Sequence, residues 1–216
     1  MSEILTFDTE VMAFGHKLKP QSMVKIEEIF KNKRDTASDI NEHMETLRRY
    51  ASECEHITEM GVRSVVSTWA FLAGNPKKYI GIDINPCPVE EAMQLATECN
   101  IDFKFMIADT VSPDLEIEET DLLFIDTWHI YKQLKVELDL HSDKARKYII
   151  MHDTTSFGYV DEGDNPISHT FSKLVGREDE KKGLFTAIEE FLATNDKWYI
   201  KEKFAHNNGV TVLARK

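Results

Sequence analysis

Apolar positions recur at helical spacing early in the chain. Met23, Ile26, Ile29 and Phe30 share one face of a helix predicted over 21–33. Asp39 or Asn41 is placed to cap a second helix through Met44, Leu47 and Tyr50. Alternation of strands and helices then begins. Short apolar runs at 57–60, 78–82, 103–108, 122–125 and 147–151 read as strands. Between them, 65–73, 86–99 and 131–141 carry helical periodicity, with Pro88 tolerated in a first turn. A helix marked by Leu184, Ile188, Phe191 and Leu192 follows, and then strands at 198–204 and 210–214. Asn207-Asn208-Gly209 between those two strands is a hairpin signal. The pattern predicts an α/β fold: a mostly parallel seven-stranded sheet, helices on both faces, and a C-terminal antiparallel hairpin.

One domain accounts for all 216 residues, with 1–55 as an N-terminal helical cover. Those helices are equally suited to covering the sheet or to serving a homo-oligomer. Residues 154–182 lack periodicity and contain Gly158, Gly163, Pro166 and Gly176. An aperiodic stretch of that length predicts an acceptor lid.

Asp83, Asp109, Asp126 and Asp153 each end a predicted strand. In an open α/β sheet that edge is where ligands bind. Asp83 also lies 22 positions after Gly61. An acid about 20 residues beyond a glycine turn suits a ribose diol, as found in a nicotinamide-binding oxidoreductase. The turn lacks the GxGxxG that close pyrophosphate approach needs, and this favours a nucleoside cofactor without phosphates.

Composition narrows the picture. The net charge is −12, from 38 acidic and 26 basic residues. Residues 109–190 alone carry 19 acidic and 9 basic residues. This balance argues against nucleic acid as a partner. No apolar run reaches the ~18 residues of a membrane span, so no membrane partner is expected. Cys54, Cys87 and Cys99 form no CxxC pair, and the first ten residues lack an apolar signal core. A cytoplasmic protein with reduced thiols is the expectation.

Several segments together resemble class I S-adenosylmethionine-dependent methyltransferases, a Rossmann-like fold. Glu59-Met60-Gly61-Val62-Arg63-Ser64-Val65-Val66-Ser67 is similar to their first motif, with Val65 where relatives carry a second glycine. Leu122 to Tyr131, reading LLFIDTWHIY, resembles the "IDGDHxY" segment of macrocin-type and cephalosporin-hydroxylase-like members. Tyr148 to Thr154 is similar to their "HDT" strand end, and Gly183 to Leu192 to their late helix.

The resemblance implies an O-methyltransferase acting on a hydroxyl of a sugar or sugar-bearing small molecule, or a glycan. It implies S-adenosylmethionine contacts at Glu59, Gly61, Val62, Ser67, Asp83, Ala108, Asp109, Asp126 and Trp128. Asp126, Asp153 and Thr154 become ligands for a Mg²⁺ ion, with His152 directed to the other side of its strand. Asp126 and His129 become the catalytic pair, with His129 as general base. Two other readings stand beside this one: a nicotinamide-dependent oxidoreductase on a similar sheet, or a degenerate cofactor-binding protein without turnover.

Overall fold

The computed structural model describes residues 20–163 and 182–216. Two short N-terminal helices, α1 (Gln21–Asp35) and α2 (Met44–Ala51), precede β1 (His56–Met60). Then come α3 (Ser67–Ala73), β2 (Lys78–Asp83), α4 (Glu90–Glu98), β3 (Asp102–Ile107) and β4 (Thr120–Ile125). The chain continues through α5 (Tyr131–His141), β5 (Ala145–His152), α6 (Gly183–Thr194), β6 (Trp198–Phe204) and β7 (Val210–Arg215). The seven strands lie in the order β3-β2-β1-β4-β5-β7-β6. All pairings are parallel except β5 with β7 and β6 with β7.

The central strands are buried on both sides because both faces are covered. Leu122 and Phe124 of β4 pack toward α1–α4, in a core with Ile26, Phe30, Leu47, Phe71 and Leu72. Leu123 and Ile125 pack the other way, with Leu134, Leu138, Leu184 and Ile188 of α5 and α6. The N-terminal helices therefore cover the sheet; residues 1–19 of the expected cover lie outside the described residues.

Two element starts differ from the sequence expectation. Helix α4 begins at Glu90 rather than at 86, because the segment through Pro86 and Pro88 is a bend and loop ahead of it, with prolines that disfavour helix at the residues before them. Helix α3 begins at Ser67 rather than at 65, because Val65 has φ +59°, inside a tight turn closed by its N–H on Val62 O at 2.9 Å. The backbone thus has a glycine's conformation at the position where the resembled motif has its second glycine. A β-branched residue there is strained by about 1–2 kcal/mol. Val65 is also 4% exposed, and burying its side chain contributes about 1.5–3 kcal/mol. The two effects largely offset, so Val65→Gly is expected to destabilise by no more than about 2 kcal/mol in urea denaturation.

Crossover order reverses between β1 and β4, and a cavity opens at their C-terminal ends. The β6–β7 turn closes the neighbouring rim, with positive φ at Asn207, Asn208 and Gly209. Its carbonyls accept N–H groups from the residues after β5: Thr155 and Ser156 on Asn208 O, and Thr154 on Gly209 O.

Candidate functional site

The cavity encloses about 530 Å³. It is lined by Gly61 and Val62 from the first turn, by Ser67 at the start of α3, by Asp83 at the end of β2, and by Ala108 and Asp109 after β3. Asp126, Trp128 and His129 after β4 complete the far end. Eight of the nine expected cofactor residues therefore meet at one cavity.

The ninth, Glu59, does not line it. Glu59 is fully buried beneath the floor, accepting hydrogen bonds from Ser67 and Tyr79 and from Thr68 Oγ1 at 2.8 Å. Its carboxylate is consumed in bracing β1, α3 and β2, so it reaches the cavity only through Ser67. Glu137 of α5 does the same for the other half. It accepts from Thr110 Oγ1 at 2.5 Å, Gln133 Nε2 at 2.7 Å and Thr127 Oγ1 at 2.9 Å. Burial pushes both carboxyls up to about 7, against hydrogen bonds that favour their charged forms.

These two acids set a pH dependence. An unfolded glutamate ionises near 4.3, whereas each native one keeps its proton to about 7. Between those values the native state binds more protons, so stability falls as pH rises and levels off above 7. Glu59→Gln and Glu137→Gln should each flatten the stability profile between pH 5 and 8, by a few kcal/mol at most. Thermal melts across that window check it.

Asp83 is also more occupied than expected. Its Oδ2 accepts the Val62 and Arg63 N–H groups at 3.0 and 2.9 Å, and Oδ1 accepts that of Asn85 at 2.9 Å. The carboxylate therefore shapes the first turn while bordering the cavity. Asp109 Oδ1 takes the Val111 N–H at 3.1 Å.

At the far end, four side chains converge. Asp126 Oδ1 lies 3.4 Å from His129 Nε2 and 3.3 Å from His152 Nδ1. Asp153 Oδ2 lies 2.9 Å from the same two nitrogens. Glu162 Oε2 is 3.1 Å from His129 Nδ1. Burial opposes charge on both imidazoles, but the two aspartates outweigh it and push each up to about 10. The imidazoles in turn hold both aspartate carboxyls below the usual range, again against burial.

Three sequence expectations change here. His129 Nε2 is turned onto the Asp126 and Asp153 carboxylates, which favour its protonated form over the neutral one a general base needs. Thr154 is not among the converging donors: it is buried and its Oγ1 accepts from Thr211 Oγ1 at 2.9 Å. His152 replaces it. Strict alternation would send His152 and Asp153 to opposite sides, but Asp153 has φ +58°. That left-handed residue ends the strand geometry and brings both side chains to one place. Asp126, His152 and Asp153 each offer a ligand atom within 4.8 Å of the others. This donor set, with its imidazole nitrogens, does not fit Mg²⁺, which prefers an all-oxygen shell.

Glu162, Glu137 and Gln133 carried no sequence signal. Glu162 belongs to the expected lid, of which residues 164–181 lie outside the described residues. Its position is fixed by its N–H on His129 O at 2.9 Å. The preceding Asp161 Oδ1 accepts from the N–H groups of Tyr131 and Gly183 at 2.7 and 2.8 Å.

No family model and no curated protein matches the chain. Solved structures do. A methyltransferase from Podospora anserina bound to S-adenosylhomocysteine is 17% identical, with all of both chains covered and a TM-score of 0.52. A putative caffeoyl-CoA O-methyltransferase from Staphylococcus aureus is 12% identical, covering 90% of this chain and 92% of that one, with a TM-score of 0.56. An O-methyltransferase from Bacillus cereus in complex with S-adenosylhomocysteine is 11% identical, covering 94% of each chain, with a TM-score of 0.51. The chain has the class I methyltransferase fold.

Proposed function

We propose that the protein is an S-adenosylmethionine-dependent O-methyltransferase. The observation that carries this reading is one cavity running from the Gly61 turn to the Asp126–His129 cluster. It joins a nucleoside-sized groove to a polar reacting end. At the Gly61 turn the backbone packs directly on the end of β4, where a Cβ on Gly61 would stand 1.9 Å from Asp126 O.

Gly61, Val62 and Ser67 would border the methionine part, Asp83 the ribose, and Ala108 and Asp109 the adenine. Trp128 would form a wall between cofactor and acceptor. When bound, the cofactor supplies a methyl group on a sulfonium, an electrophile already activated for attack. The chain's own task is then mainly positioning. Asp126 accepts the hydrogen bond of the acceptor hydroxyl and turns its oxygen toward the methyl. As the new C–O bond forms the oxygen becomes strongly acidic, so a nearby carboxylate suffices to take the proton. The C–S bond breaks, leaving S-adenosylhomocysteine, the methylated acceptor and one proton.

The lining supports a neutral or cationic, hydroxyl-rich acceptor such as a sugar, an amino sugar or a glycan. Asp39, Asp83, Asp109, Asp126 and Glu162 border the cavity, against Arg63 and His129 as its basic groups. A polyphosphate or acyl phosphate would meet those carboxylates. The test is transfer of labelled methyl from S-adenosylmethionine to a panel of sugars, catechols and carboxylic acids. Incorporation into a sugar hydroxyl is expected; a labelled carboxylate or catechol only would contradict the acceptor class.

Asp83→Ala offers a second check. It leaves three N–H groups of the first turn and its neighbour without their acceptor. Cofactor affinity should fall roughly 10–100-fold by calorimetry, with kcat at saturation little changed.

A further inference from the structure

We propose that Gln133, Glu137 and His141, a polar stripe along α5, position the base end of the cavity and make the chain select an aminopurine over an oxopurine. This rests on the methyl-transfer reading and deepens it, because it names how the chain tells one nucleobase from another.

Three observations carry it. The first is the stripe itself. Positions 133, 137 and 141 are spaced four apart and share one face of α5. All three side chains are buried. Leu134 and Leu138 already give the helix its apolar contact with the sheet, so covering the sheet does not call for them. The donors that meet the Glu137 carboxylate among the described residues are neutral. Such a network adds little to stability over apolar side chains of the same shape.

The second is where the stripe converges. All three residues hold Thr110. Its Oγ1 donates to Glu137 Oε1 at 2.5 Å and accepts from Gln133 Nε2 at 3.2 Å. Its carbonyl oxygen only accepts, so His141 Nε2 donates to it at 2.8 Å. Thr110 directly follows Asp109, the carboxylate placed at the adenine. One helix thus fixes the backbone from which Asp109 projects, and side chains locked in this way hold a binding geometry.

The third is what Glu137 orients. Gln133 Nε2 also donates to its Oε1 at 2.7 Å, and Thr127 Oγ1 donates to its Oε2 at 2.9 Å. Thr110, Thr127 and Gln133 line the cavity, whereas Glu137 and His141 lie behind them. Glu137 is therefore a positioning residue that aims polar groups from the β3–β4 loop, the β4–α5 loop and α5. Buried, oriented polar groups reject an analogue whose donors and acceptors are exchanged. Replacing the 6-amino group of adenine by a carbonyl is such an exchange.

The test uses the full-length protein, titrated calorimetrically with S-adenosylhomocysteine and with S-inosylhomocysteine. The wild type is expected to prefer the adenosyl compound at least about tenfold. Glu137→Met keeps the length of the side chain and removes both acceptors, and should lower that preference below about threefold. Glu137→Gln keeps an acceptor for Thr110 and Gln133, and its preference should stay within about threefold of the wild type. His141→Phe releases only the Thr110 carbonyl, from behind the cavity, and should lower the preference at least about threefold. It also decides the matter if Glu137→Met fails to fold. Both compounds weakened equally, with the preference kept, would make the stripe a brace of the fold alone and overturn the proposal. A wild type without preference would overturn it too. If the wild type binds neither compound, the methyl-transfer reading falls together with the proposal. If the wild type prefers the adenosyl compound and the variants match it, the proposal alone falls.

Discussion

Gly61→Ala is expected to abolish cofactor binding and to destabilise the fold by about 2–6 kcal/mol, combining backbone strain with overpacking. Gly61 has φ +89°, a conformation that a side chain strains. Its added Cβ would stand 1.9 Å from Asp126 O and 2.6 Å from Asp126 C, both backbone atoms that no rotamer change can move aside. Asp126 N–H is bonded to Met60 O at 2.9 Å, and Gly61 N–H to Ile82 O at 2.9 Å. The turn is thus clamped on both sides, and a shift would disturb β1, β2 and β4 together. Urea denaturation and calorimetry check this. A variant with wild-type stability and cofactor affinity would show that the close approach is not needed.

Asp153→Asn is expected to destabilise the protein by about 3–5 kcal/mol and to reduce methyl transfer at least about 100-fold. Asparagine tolerates the left-handed conformation that Asp153 adopts at φ +58°, so the backbone is not the cause. What is lost is one buried carboxylate facing both His129 Nε2 and His152 Nδ1 at 2.9 Å. Without it, two imidazoles share Asp126, and the acceptor end of the cavity loses its order. Turnover at saturating cofactor measures the effect on the reacting end, and cofactor affinity should be spared. Wild-type turnover would remove Asp153 from the site.

Much of this arrangement was legible in the sequence. The period of apolar residues located all seven strands, most plainly where both-sided burial makes a central strand a short apolar run, as in Leu122–Ile125 of β4. Of the acids at the strand ends, Asp83, Asp109 and Asp126 border the cavity, whereas Asp153 is buried beside it. What escaped was set by single backbone angles and by long-range contacts. Alternation predicts His152 away from Asp153, and only the positive φ at Asp153 reverses that. Glu59 is the acid of the segment that resembles a methyltransferase motif, yet whether it faces a cavity or the core depends on Tyr79 and Thr68, which sit on other elements. Glu162 reaches His129 across 33 residues of chain. No local pattern encodes that pairing.

The groups at the reacting end also alter the sense of the acidic surplus in residues 109–190. Asp109, Asp126, Asp153 and Glu162 all belong to the site, and Glu137 braces it from beneath. Part of this charge therefore faces the two histidines His129 and His152. The remainder is solvated surface.

The central claim is that the cavity beside Gly61 and Asp109 holds S-adenosylmethionine. Calorimetric titration of the purified protein with S-adenosylhomocysteine, and separately with NAD, tests it most directly. One S-adenosylhomocysteine per chain should bind, the binding should be lost in Gly61→Ala, and NAD should give no heat. Heat with NAD and none with S-adenosylhomocysteine or S-adenosylmethionine would contradict the account.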